Sequence, residues 1–91
     1  MNEVIRKITI INKLGLHARA AATLVRVTSR FDCDIKLEKG PFSVDAKSIL
    51  GMMTLAASPG TTLVLRCCGN DAKAAADAIE ACVTNRFGED E

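Results

Sequence analysis

The sequence predicts an α+β fold, an open-faced β-sandwich in βαββαβα order. In it a four-stranded antiparallel sheet carries three helices packed on one face and leaves the other face to water. Three observations point there. The strand-like segments alternate apolar and polar residues, as in Cys33-Asp34-Ile35-Lys36-Leu37-Glu38 and across Thr61 to Cys68, so each has one face for a core and one for solvent. The segments between them switch to helical spacing. The turn signal Lys39-Gly40-Pro41 joins two strands as a hairpin, whereas the first and last strands are separated by helices and need crossovers. At 91 residues the chain makes one domain, residues 1–91.

Each element follows from its residues. Residues 3–11 read as a strand: β-branched side chains dominate, and Ile8 and Ile10 alternate with Lys7 and Thr9. Asn12 to Leu16 is a loop. Residues 18–29 read as a helix with Ala21, Leu24, Val25 and Thr28 on its inner stripe and Phe31 closing it, while Arg19, Ala22, Thr23, Arg26 and Ser29 lie on other faces. Cys33 to Glu38 and Phe42 to Asp45 are the hairpin strands. Ser48 can cap a short helix, Ile49 to Leu55, whose Met52 and Leu55 point inward. Ile49, Leu50 and Met53 cannot all share that inner face, so some apolar surface stays exposed. Ser58-Pro59-Gly60 is a turn. Thr61 to Cys68 is the clearest strand, with Leu63, Leu65 and Cys67 on its inner face. Gly69-Asn70-Asp71 reads as a stop followed by a cap. Residues 72–86 form the last helix, with Ala75, Ala78, Ile79 and Cys82 buried and Phe87 folding back. Gly88 to Glu91 reads as a short, frayed acidic tail.

Composition narrows the function. A domain this small has no room for a large internal cavity, so any site is a surface feature. Twelve basic against eleven acidic residues, no long basic run and three scattered aromatics, Phe31, Phe42 and Phe87, argue against a nucleic-acid groove. No signal peptide and no apolar run of membrane length is present, so the expected location is the cytoplasm, without membrane insertion. Cys33, Cys67, Cys68 and Cys82 form no Cys-x-x-Cys, and there is one histidine, so no metal site and no cofactor are expected. The cysteines read as reduced, mostly apolar packing residues.

The segment that stands out is Leu14-Gly15-Leu16-His17-Ala18-Arg19-Ala20-Ala21-Ala22, which places the one histidine at the start of a helix. A helix start offers backbone N–H groups without internal partners and favours an anion. A neutral imidazole there is a nucleophile. Attack on a phosphoryl donor would leave an anionic group that the amides of Ala18, Arg19 and Ala20 could cradle. Arg19 would add forked, charge-assisted bonds to it. Nucleophile, cradle and charge stabiliser thus fall within a few residues, as a covalent phosphoryl relay requires. Against this stands the commoner role of a lone histidine at a helix start, a cap or a surface residue.

Leu14-Gly15-Leu16-His17-Ala18-Arg19 closely resembles the active-site segment of the HPr family, the histidine-containing phosphocarriers of the bacterial phosphoenolpyruvate-dependent phosphotransferase system. Ala46-Lys47-Ser48-Ile49-Leu50-Gly51-Met52-Met53-Thr54-Leu55 resembles the family's second signature, around a regulatory serine. Length and element order agree along essentially the whole chain. The resemblance implies that His17 accepts a phosphoryl group on Nδ1 from phospho-enzyme I and passes it to a IIA protein or domain, with Arg19 stabilising the phosphorylated state. Such a protein is a stoichiometric relay, not an enzyme, and is expected to be a monomer because successive partners use one face. The resemblance also implies phosphorylation of Ser48 by an HPr kinase/phosphorylase where one exists. Ile49, Leu50 and Met53, with Ala22 and Arg26, are the expected docking residues, since an exposed apolar cluster on a small protein marks an interface. The acidic ending is reminiscent of the nitrogen-branch members, so sugar uptake and nitrogen regulation both remain open. One departure is Ala20, where the family usually has proline. Alanine there keeps the helix at a stability cost of roughly 0.4–1 kcal/mol. Two other classes fit less well. A purely regulatory module signalling through Ser48 would not need His17, and a metal-trafficking domain would need cysteines in the first loop.

Overall fold

A computed structural model describes residues 2–91. The strands β1 (Glu3–Thr9), β2 (Asp34–Lys39), β3 (Phe42–Asp45) and β4 (Thr62–Cys68) alternate with the helices α1 (Ala18–Thr28), α2 (Ile49–Thr54) and α3 (Ala72–Thr84) in the expected βαββαβα order. The sheet order is β1-β4-β2-β3 and every pairing is antiparallel. β4 is therefore interior, paired with β1 from Glu3↔Cys68 to Thr9↔Thr62 and with β2 from Asp34↔Cys68 to Glu38↔Val64.

Register and pleat together build the core. Leu63, Leu65 and Cys67 of β4 alternate inward and are fully buried, and Ile35 and Leu37 of β2 and Ile8 of β1 lie beside them. Each such side chain stabilises the fold by roughly 1.5–3 kcal/mol of apolar burial. The helices close over this face with Ala21 and Leu24, then Met52, then Ala75, Ala76 and Ile79. The opposite sheet face keeps Lys36, Glu38 and Arg66, with an Arg66–Glu38 ion pair at 2.8 Å. The open-faced sandwich is borne out.

Several local expectations need correction. Asp71 does not cap α3 with its side chain. Its carboxylate reaches across to accept the N–H groups of Asp32 at 2.8 Å and Cys33 at 2.9 Å, which pins the entry to β2. Gly69 makes that approach feasible: at φ +148, a Cβ there would lie 2.8 Å from the Cβ of Cys33. α3 stops at Thr84, not at residue 86, and Val83 belongs to its buried stripe, whereas Ala78 and Cys82 are only half-buried. Val25 and Phe31 are likewise half-buried.

The largest correction concerns the C-terminal tail. Arg86 and Phe87 adopt φ 55 and 54, a conformation that costs a non-glycine residue roughly 1–2 kcal/mol. Burial of the Phe87 ring offsets that strain. The reversal turns the chain back as a 3-10 turn, Arg86–Gly88, and lays Glu89 to Glu91 against the loop before α1. The Lys13 N–H donates to the Glu91 carbonyl, and the Lys13 ammonium pairs with the Glu91 carboxylate at 3.3 Å. The tail is docked, not frayed.

Candidate functional site

The loop between β1 and α1 is held at both ends. Ile10 continues the β1–β4 pairing by donating to Thr61 O at 2.9 Å and accepting from Gly60 N–H at 2.7 Å. Leu16 N–H donates to Ala57 O at 2.9 Å, just beyond α2. Gly15, at φ +70, packs so closely that a Cβ would sit 2.5 Å from Ala57 O. Asn12, fully buried, donates through Nδ2 to Gly15 O at 2.8 Å and to Glu89 Oε1 at 2.9 Å, while its Oδ1 has no partner among the described residues.

This loop delivers His17 to the N-cap of α1 with φ −82 and ψ −178. Its carbonyl accepts the Ala21 N–H at 2.8 Å, and its ring nitrogen Nδ1 accepts the Arg19 N–H at 3.3 Å. That is long for such a bond, so Nδ1 is lightly held. The other ring nitrogen, Nε2, lies 2.6 Å from Glu89 Oε2. A backbone N–H can only donate and a carboxylate can only accept, so this pair of partners fits the neutral ring with its proton on Nε2 and its lone pair on Nδ1. The His17 side chain is 29% exposed and the Glu89 side chain 16%. Burial pushes the Glu89 carboxyl up, but the hydrogen bonds from Asn12 and His17, with the nearby Arg19 charge, outweigh it and hold the group below its ordinary value.

His17 opens onto a cleft of about 960 Å³ lined by Ala18 and Arg19 on one side and by Phe87 to Glu91 on the other. Ala18 and Arg19 are both exposed. Ala20 is not part of the cleft. It is fully buried against the core, whereas Ala18 and Arg19 line the cleft.

Ser48 lies apart from this cleft, at the N-cap of α2, where Oγ accepts the Gly51 N–H at 3.0 Å. Beside it Ile49 and Met53 are about two-fifths exposed and Leu50 is 74% exposed. α2 packs on α1, which shows Arg26 exposed and Ala22 half-buried. Leu14, in the histidine loop, is also exposed. Asn12 and Glu89 carry no motif and were legible only through the geometry. The one hint in the sequence was Phe87, whose burial steers the tail toward His17. Among the described residues no cluster of metal-ligating side chains occurs, and no helix is long and apolar enough to cross a membrane.

Residues 4–85 match the family described as the PTS HPr component phosphorylation site. The phosphocarrier protein HPr of Cupriavidus necator is 50% identical over 86 residues, 94% of this chain and 97% of that protein. The phosphocarrier protein NPr of Shewanella violacea is 45% identical over 89 residues, 98% of each. The crystal structure of HPr-C-His from Thermoanaerobacter tengcongensis superposes with a TM-score of 0.90 at 42% identity, covering all of both chains.

Proposed function

Since the chain belongs to the HPr phosphocarrier family, we propose that His17 is its phosphoryl acceptor, taking the group from phospho-enzyme I and handing it to a IIA protein or domain. The observation that carries this reading is the placement of Nδ1 at the start of α1, where it meets only the long bond from the Arg19 amide, an arrangement that fits a free lone pair there.

The chemistry is a reversible displacement at phosphorus. The Nδ1 lone pair forms the new N–P bond while the bond from phosphorus to the donor breaks and its electron pair leaves with the donor. The Arg19 N–H, displaced from Nδ1, is then in place to donate to a phosphoryl oxygen, as is that of Ala18 at the helix start. The Arg19 guanidinium, exposed at the cleft, supplies the forked charge-assisted bonds that suit phosphate oxygens. In the second transfer the acceptor's nucleophile attacks phosphorus and the N–P electron pair returns to Nδ1. The protein turns over nothing by itself; it is a relay that acts as a monomer, offering one face to successive partners. Leu14, Ile49, Leu50 and Met53, with Ala22 and Arg26, form the docking surface for them.

Ser48 favours a second, regulatory role in the same reading. A phosphate at this N-cap sits at the positive end of α2 and adds charge beside Ile49 and Leu50, which would weaken apolar docking. Labelling with ATP and an HPr kinase tests this, and an absence of acid-stable label at Ser48 leaves the serine as a cap alone.

Incubation with phosphoenolpyruvate and enzyme I tests the main reading. The protein gains one acid-labile phosphoryl group, and His17→Ala gains none. A gain that persists in His17→Ala refutes the assignment.

A further inference from the structure

We propose that Glu89 is the positioning residue of His17, fixing the ring proton on Nε2 through both halves of the phosphoryl relay. The claim about the ring stands on geometry alone; its consequence for transfer rests on the function proposed above.

The tail brings the Glu89 carboxylate 2.6 Å from Nε2 and anchors its second oxygen on the buried Asn12 amide at 2.9 Å. Asn12 is itself tied to Gly15 O, so the carboxylate is braced by the same loop that carries the histidine. The charged groups that line the same cleft are Arg19 from the first turn of α1, Lys13 from the loop before it, and Asp90 and Glu91 of the tail, of which Glu91 pairs with Lys13. A carboxylate in that place accepts and does not donate, so within the neutral ring it selects the Nε2–H tautomer, and the Arg19 N–H at Nδ1 agrees with that choice. It also restrains rotation of the ring about its bond to Cβ, a restraint that the long Arg19 contact provides weakly.

The arrangement matters most after transfer. When the N–P bond forms, the ring gains positive charge shared between its two nitrogens, and the proton on Nε2 stays where it was. The Glu89 carboxylate faces that charge directly. When the phosphoryl group leaves, its bonding pair returns to Nδ1 and the ring is again neutral with Nε2–H. No proton is gained or lost in the cycle, and the leaving group is a neutral imidazole.

Nitrogen-15 NMR of the histidine ring, recorded on the unphosphorylated protein at a pH where the ring is neutral, tests the assignment together with single-turnover transfer from phospho-enzyme I. The wild-type protein is expected to show the Nε2–H form alone. Glu89→Ala is expected to show both tautomers and to accept the phosphoryl group about tenfold more slowly, which corresponds to about 1.4 kcal/mol of lost transition-state stabilisation. Glu80→Ala removes an acidic residue of α3 that lies outside the cleft and is expected to leave both measurements unchanged. A Glu89→Ala protein with either a wild-type ring spectrum or a wild-type rate overturns the assignment. If the wild-type protein accepts no phosphoryl group at all, the proposed function fails while the ring spectrum still decides what Glu89 does.

Discussion

Asn12 and Glu89 are 77 positions apart in the chain, yet the buried Asn12 amide donates to the Glu89 carboxylate at 2.9 Å. The same amide holds Gly15 O at 2.8 Å. One side chain therefore joins the C-terminal tail to the loop that aims His17. Asn12→Ala leaves both acceptors without this donor, and Gly15 O is buried. The expected loss is about 1–3 kcal/mol, read as a lower midpoint in urea unfolding. Amide hydrogen exchange should also quicken at Lys13, whose N–H the tail protects. Unchanged exchange at Lys13 would mean that the tail is held without Asn12.

Gly15 meets a steric limit at the same corner. At φ +70 and with Ala57 O 2.5 Å from where a Cβ would stand, Gly15→Ala must either move the loop or lose the Leu16–Ala57 bond. The left-handed conformation alone costs about 1–2 kcal/mol, and the clash adds to it. Thermal unfolding should show a melting temperature several degrees lower, and phosphoryl acceptance should slow because His17 is displaced. A melting temperature equal to that of the wild type would contradict the close packing.

Arg19 is exposed, so its role is separable from the fold. Arg19→Ala is expected to unfold within about 0.5 kcal/mol of the wild type. Its transfer rate should fall by about tenfold or more if the guanidinium at the cleft holds the phosphoryl group as proposed. Transfer at the wild-type rate would remove Arg19 from the chemistry.

Acid should loosen two of the clamps. Asp71 is held below its ordinary value of 3.8 first by the Asp32 N–H and then by Cys33, against the opposing effect of burial. Glu89 is held below 4.5 as described above. A carboxyl whose value is lowered by folding contributes stability that is fully present above its unfolded value. That stability is lost as the pH falls through the lower, folded value. Melting temperature should therefore decline as the pH drops below about 4.5, and the decline should be shallower in Asp71→Asn than in the wild type. Equal slopes would show that the Asp71 contacts contribute nothing. Cys33 gives no opposing change near neutrality, because burial, with Asp71 beside it, pushes its thiol up to about 12.

The sheet and the helices were legible because period and burial agree along each of them: Leu63, Leu65 and Cys67 could face only one way. Ser48 was legible as a cap because the serine precedes a helical run, and Ile49, Leu50 and Met53 because no helix face could hold them all. Asp71 misled for a physical reason. A carboxylate before a helix has two sets of orphan amides within reach, and the choice of Asp32 and Cys33 depends on a close approach at Gly69 that no local pattern encodes. The tail misled similarly. Its acidic residues look solvated in sequence, and only the left-handed turn at Arg86 and Phe87 brings Glu89 to His17. Ala20, in the position where proline was expected, proved compatible with a regular first turn. The first intrahelical bond runs from Ala21 N–H to His17 O, so position 20 precedes the ladder and needs no N–H for it, which proline would lack.

The most direct test of the relay is the bond itself. Phosphorus-31 and nitrogen-15 NMR of the protein phosphorylated by enzyme I and phosphoenolpyruvate should show phosphorus coupled to Nδ1 of His17, with the ring proton on Nε2. The signal should vanish on addition of an unphosphorylated IIA acceptor. Phosphorus coupled to Nε2, or bound to any residue other than His17 under these conditions, would contradict the account.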